Sequence, residues 1–149
     1  PTITEGETFP KDHTCNGKDV SPALSWGPGP EGTLSYAIVF NDVTFKFLHS
    51  IIYDIPASVT SLPQGVEAAY EPKEPAGAKQ TQNYKGATEF GYTGPCPPTN
   101  EHTYELVLYA LGVEALPNVS KTSTLKAAEA EIKKHSLGSV KLTGKYKQP

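Results

Sequence analysis

The chain has 149 residues, 37% hydrophobic and 19% charged, with fourteen prolines and thirteen glycines. This balance fits a folded, turn-rich chain and not a disordered one, and no apolar run approaches the roughly 20 residues of a membrane-spanning helix. A net charge of −3 without an isolated block of lysines argues against nucleic acid as a partner.

The length suits one domain over 1–149 with a single sizeable core. The chain begins at Pro1 and contains no methionine, so a trimmed start is expected, by initiator removal or signal-peptide cleavage. A cytoplasmic and an exported location both fit. All thirteen cations other than histidine are lysines. Without arginine, a bound phosphate or carboxylate must be held by histidine, lysine, hydroxyls and backbone N–H groups.

In chain order, residues 1–20 are polar and turn-rich, with room for a short edge strand and with His13 as a surface group. A short strand is expected around Leu24–Trp26, with Trp26 in the core, before a Gly/Pro loop that lacks the Gly-Lys-Ser/Thr ending of a phosphate loop. LSYAIVFND (34–42) is a strong strand, rich in β-branched and aromatic residues. FLHSIIYDIP (47–56) is another; Ile51, Ile52 and Tyr53 suggest burial on both faces, and Pro56 ends it. Residues 57–90 have no clear period, and short strands or turns are expected to break them up.

GYTGPCPP (91–98) packs three prolines and two glycines into eight residues and leads directly to His102 and Tyr104. So stiff a loop suggests that something at its end is held in place. YELVLYAL (104–111) is the third strong strand. One helix is expected over roughly 124–135, with Leu125, Ala128 and Ile132 on one stripe, Ser123 as N-cap, His135 at the cationic end and Gly138 just beyond. SVKLTGKY (139–146) closes the chain as a strand. The fold class is therefore mostly β: an antiparallel β-sandwich or partly closed barrel with one or two short helices.

Cys15 and Cys96 lie 81 residues apart, which excludes a CxxC motif. Two separate buried thiols are the simplest reading; a disulfide, which needs an oxidising compartment, and a reactive thiol are the alternatives. Asn118-Val-Ser120 matches a glycosylation acceptor, a pattern that also arises by chance.

Asp42, His49, His102 and Tyr104 all fall near strand ends, which cluster at common rims in a sheet protein. Tyr104 shares a strand face with His102. At these positions the sequence resembles the phosphatidylethanolamine-binding protein family, closest to its small bacterial and archaeal, Raf-kinase-inhibitor-like branch. The blocks that carry the resemblance are CNGKDVSPALSW (15–26), NDVTFKFLHSIIYDIP (41–56), GYTGPCPP (91–98), HTYELVLYAL (102–111) and HSLGSVKLTGKY (135–146). The resemblance implies an antiparallel β-sandwich with a surface pocket for phosphate, phosphate monoesters, acetate or phospholipid head groups, no cofactor, and a protein kinase or protease as a client.

Carried over residue by residue, it implies ligand-binding roles for Asp42, His49, the loop residues Gly94, Pro95, Pro97 and Pro98, then His102 and Tyr104. One departure stands out. The family's Asp-Pro-Asp-x-Pro and the Gly/Ser-rich loop after it are here only Asp42-Val-Thr-Phe-Lys-Phe-Leu-His49, so one pocket wall is reduced. Asp42 beside an anion would repel it, but bonded to an imidazole N–H it favours the charged ring. Anion affinity is then expected to weaken as pH rises through the histidine pKa. The chemistry expected is binding without turnover. The alternatives are a phosphoesterase or hydrolase built on His49 and His102, for which no nucleophile is evident, and a metal site of two histidines and one carboxylate.

Overall fold

The computed structural model describes residues 2–149. Its frame is a five-stranded sheet built from β2 (Ser35–Asp42), β3 (Phe47–Pro56), β5 (Lys79–Gln80), β6 (His102–Leu111) and β7 (Ser136–Tyr146). The spatial order is β5-β3-β2-β6-β7, and every neighbouring pair is antiparallel. Two-residue strands β1 (Leu24–Ser25) and β4 (Ser61–Leu62) form a second small sheet. Among the described residues there is one α-helix, α1, which spans Leu125–His135.

β2 is the central strand, and its side chains alternate between two cores, as a period of two requires. Tyr36, Ile38 and Phe40 join Ile52, Ile55, Tyr104 and Leu106 on one face. Ala37 and Val39 join Ile51, Tyr53, Leu111 and the helical Ala128 and Ile132 on the other. The second face is roofed by α1. The first is covered by β1, β4 and extended segments carrying Leu24, Trp26 and Val66, so the second layer of the sandwich is thin. Trp26 is half-buried against Tyr36, with ring centroids 5.5 Å apart.

The helix ends differ from the sequence expectation. Thr124, not Ser123, is the N-cap, its hydroxyl accepting from the Ala127 N–H at 3.1 Å. Ser123 instead accepts from the Ser120 N–H. Gly138 does not stop the helix, because the chain turns straight into β7 at Ser136, whose N–H bonds to the Lys133 carbonyl. His135 closes the helix with its ring 3.6 Å from the Glu131 carboxylate. The stretch 57–90 holds β4, β5, an isolated bridge between Gln82 and Phe90, and turns; the Gln80 side chain anchors it by donating to the Glu67 and Ala69 carbonyls at 2.7 and 2.9 Å.

The N-terminal segment brings two corrections. It forms a 3-10 turn at Lys11–His13 and a single bridge from Thr8 to Lys145 instead of an edge strand. His13 is completely buried, not at the surface, with Nδ1 2.9 Å from the Val20 carbonyl. This segment runs beneath the proline loop: Cys15 N–H donates to the Pro95 carbonyl, and the Tyr92 hydroxyl donates to the His13 carbonyl at 2.7 Å. That alignment brings the cysteines together. Cys15 and Cys96 form a disulfide with Cα atoms 5.4 Å apart, overturning the reading of two separate thiols.

Candidate functional site

β2 ends at Asp42, β3 begins at Phe47 and β6 begins at His102, so an antiparallel sheet gathers all three at one edge. The register sets Asp42 opposite Phe47 on one side and opposite Tyr104 on the other. His49 occupies a β-bulge. Pairing jumps from Asn41–Leu48 to Phe40–Ser50 and leaves His49 with no partner across the ladder. A bulge re-aims the extra side chain and recurs beside functional sites. Here it sets the imidazole against the Phe40, Tyr104 and Tyr84 rings, at 5.2, 5.5 and 4.9 Å.

Asp42 is buried and uses both carboxylate oxygens. Oδ2 accepts from His102 Nδ1–H at 2.6 Å, and Oδ1 accepts from the Phe45 N–H at 3.0 Å. One side chain thus closes the short turn into β3 and orients an imidazole. His49 Nδ1 lies 3.0 Å from the Thr93 carbonyl. A carbonyl can only accept, so Nδ1 carries the proton. Burial pulls the His49 pKa below its ordinary value; the Thr93 carbonyl and the charges of Asp42 and Asp19 oppose this without overcoming it. The neutral ring therefore presents Nε2 as a lone pair. Among the described residues, Nε2 of neither His49 nor His102 makes a hydrogen bond within the protein.

Tyr104 lies between the two imidazoles, with ring centroids 5.5 Å from His49 and 6.3 Å from His102. It is almost wholly buried. Burial pushes its phenol pKa up, with the Asp42 charge adding to the effect, so the hydroxyl stays protonated. The Thr93 hydroxyl is also buried and has no hydrogen-bond partner, an orphaned polar atom on the residue that anchors His49.

The loop 91–98 is held more by its neighbours than by its prolines. The Gly94 N–H donates to Asp19 Oδ1 at 2.7 Å, so it is already engaged. A Cβ at Gly94 would fall 2.0 Å from the His13 carbonyl oxygen; glycine is needed here for close packing on the N-terminal segment. The Pro95 carbonyl accepts from Cys15, the Pro97 carbonyl accepts from Gln148 Nε2 at 2.8 Å, and Pro98 is exposed. Asp42, His49, His102 and Tyr104 are thus brought together, while Gly94, Pro95 and Pro97 are bonded to the scaffold that holds the loop and Pro98 is exposed.

Sequence reasoning missed Asp19, Thr93 and an aromatic group comprising Phe45, Phe47 and Tyr84. Phe45 lies 4.2 Å from the His102 ring, Phe47 lies 5.8 Å from His49, and Phe47 and Tyr84 are 5.1 Å apart. A signal for part of this existed: Phe45, Phe47 and His49 alternate at the strand period. The metal alternative does not fit. No cluster of three or more His, Cys, Asp or Glu residues among the described residues could hold an ion, and the Asp42 carboxylate is bonded to His102 rather than converging with it on a shared point.

Comparison with known proteins identifies the family. A family model described as phosphatidylethanolamine-binding protein matches residues 1–147. The chain belongs to the phosphatidylethanolamine-binding protein family. A UPF0098 protein of Aquifex aeolicus is 35% identical, the match covering 99% of this chain and 85% of that one. A UPF0098 protein of Methanothermobacter thermautotrophicus is 36% identical over 94% of this chain and 91% of its own. The crystal structure of Escherichia coli YbcL, described as a new member of the mammalian PEBP family, superposes with a TM-score of 0.87 at 29% identity, covering 99% of this chain and 94% of that one. Membership in the family accounts for the mostly β fold with antiparallel sheets and one helix. No helix among the described residues is long and apolar enough to cross a membrane.

Proposed function

We propose that this family member binds a small anionic group, such as a phosphate, phosphate monoester, carboxylate or phosphorylated head group, between His49 and His102, without turning it over. The observation that carries the reading is the common arrangement of the two imidazoles. Each Nδ1 is committed to a fixed acceptor, Thr93 O for His49 and Asp42 Oδ2 for His102, and each Nε2 is left for a ligand. With no arginine in the chain, these are the polar ring atoms that the site offers.

The tethering dictates how binding and protons are coupled. For His49 Nε2 to donate to an anion, the neutral ring must take up a proton. Alternatively, a ligand O–H must donate to that nitrogen, and the proton then comes with the ligand. In both cases the complex holds one proton more than the neutral protein and the bare anion, so affinity falls as pH rises. Cys96 is consumed by the disulfide and offers no thiolate, which favours binding over nucleophilic catalysis. A protein client bearing a phosphorylated residue would use the same two rings, and free phosphate would compete with it.

The test is calorimetric titration with sulfate, which does not change charge in this range, alongside phosphate, at about pH 5.5 and 8. We expect sulfate affinity at the higher pH to be lower by about tenfold or more for one coupled proton. Equal affinities would remove the proton-coupled arrangement, and the absence of binding by either anion at both pH values would remove the site.

A further inference from the structure

Six large hydrophobic side chains are exposed among the described residues, and three of them, Phe45, Phe47 and Tyr84, gather against the two imidazoles. They are 58%, 44% and 37% exposed, while His49 and His102 beneath them are 4% and 2% exposed. Leaving aromatic rings this exposed over buried polar groups forgoes part of the burial that would stabilise them, so packing alone does not account for their placement.

The turn that presents Phe45 is built deliberately: Asp42 Oδ1 holds the Phe45 N–H, and Lys46 adopts a left-handed φ of 53°. Phe47 shares a face of β3 with His49, and it packs edge-on against both His49 and Tyr84. On their far side, Phe47 and Tyr84 also line an open groove of about 830 Å³ with Lys46, Leu125, Lys126 and Lys133. Phe47 and Tyr84 therefore form a ridge between His49 and a wide trough that has room for the body of a ligand, while Phe45 covers His102.

We propose that Phe45, Phe47 and Tyr84 are specificity-determining residues that select an anion borne on an aromatic ring, an aryl phosphate or aromatic carboxylate, over a bare or alkyl-substituted anion. The inference rests on the anion-binding reading above. The charged group meets His49 and His102, and the flat body lies against the ridge, where offset or edge-to-face contact with aromatic faces is favourable.

The experiment compares inorganic phosphate, methyl phosphate, phenyl phosphate and phosphocholine by calorimetry at about pH 6. Phenyl phosphate should bind about tenfold more tightly than methyl phosphate. That ratio should collapse toward one in Phe45→Ala and Phe47→Ala, both at half-exposed positions that bear little on folding. Phe45→Leu keeps apolar cover but removes the ring, and it should also lose most of the preference. Equal binding of phenyl and methyl phosphate would overturn the proposal while leaving the anion site intact. Tightest binding of phosphocholine would also overturn it, because the ridge would then be a cation–π surface. An unchanged ratio in all three variants would show that the rings do not select. If none of the four compounds binds, the anion reading fails and this inference with it.

Discussion

At the scale of single residues, Asp42 does two jobs with one carboxylate. It accepts from His102 Nδ1 with one oxygen and from the Phe45 backbone with the other. Asparagine has only one accepting oxygen, so Asp42→Asn leaves either the Phe45 N–H or the His102 Nδ1–H without its acceptor, and in the second case the amide N–H holds His102 in the other tautomer. Hydrogen bonds to a charged group contribute about 1.5–3 kcal/mol, so phosphate affinity is expected to fall roughly tenfold or more. Asp12→Asn serves as the control, because its ion pair with Lys18 lies on the exposed surface. Calorimetry on the two variants checks this; equal affinities would show that Asp42 does not support the site. His49 shows the same division of labour, with Nδ1 fixed on Thr93 and burial lowering the pKa of the ring.

At the scale of elements, the site depends on how one loop is braced. The prolines of 91–98 restrict that loop in the unfolded chain, but its native position comes from contacts with residues 11–20 and Gln148. Gly94 sits at the tightest of these contacts. Gly94→Ala would push a methyl group into the His13 carbonyl, and about 2 kcal/mol or more of destabilisation is expected in urea titrations. Gly27 has nothing within 4 Å of a built Cβ, and Gly27→Ala should change stability by about 0.5 kcal/mol or less. Similar losses in both would mean that the loop is free to move away from the N-terminal segment. The bulge at His49 is the second elemental device: without that extra residue, the alternation of β3 would run unbroken through the site.

At the scale of the whole molecule, the disulfide between Cys15 and Cys96 ties the N-terminal segment to the loop that carries Thr93. Crosslinking residues 81 apart restricts the unfolded chain over more than half its length. Replacing both cysteines by serine is expected to cost roughly 2–5 kcal/mol. Because Thr93 would then be held less firmly, phosphate should also bind more weakly. Thermal melts with and without reductant, run beside phosphate titrations, check both effects. A melting temperature unmoved by reduction would show that hydrogen bonds alone hold the segment in place.

The elements with strong periods could be read from neighbouring residues alone. β2, β3, β6 and α1 were legible because β-branched runs and an apolar helical stripe are local signals; Asp42, His49, His102 and Tyr104 could be placed near strand ends by the same signals, but each taken singly also had a structural explanation, and their expected roles came from the resemblance. The resemblance supplied the family. Only the tertiary structure decided what rests on long-range packing: that Asp42 bonds to His102 rather than His49, that His49 sits on a bulge, that His13 is buried, and that the two cysteines meet. It also decided that Ser123 yields the cap to Thr124 and that the aromatic ridge exists, since Tyr84 comes from a turn far along the chain from Phe45 and Phe47. The physical reason is the same in each case. A period of two or 3.6 is written into neighbouring residues, whereas a partner dozens of residues away is chosen by the packing of the completed sheet.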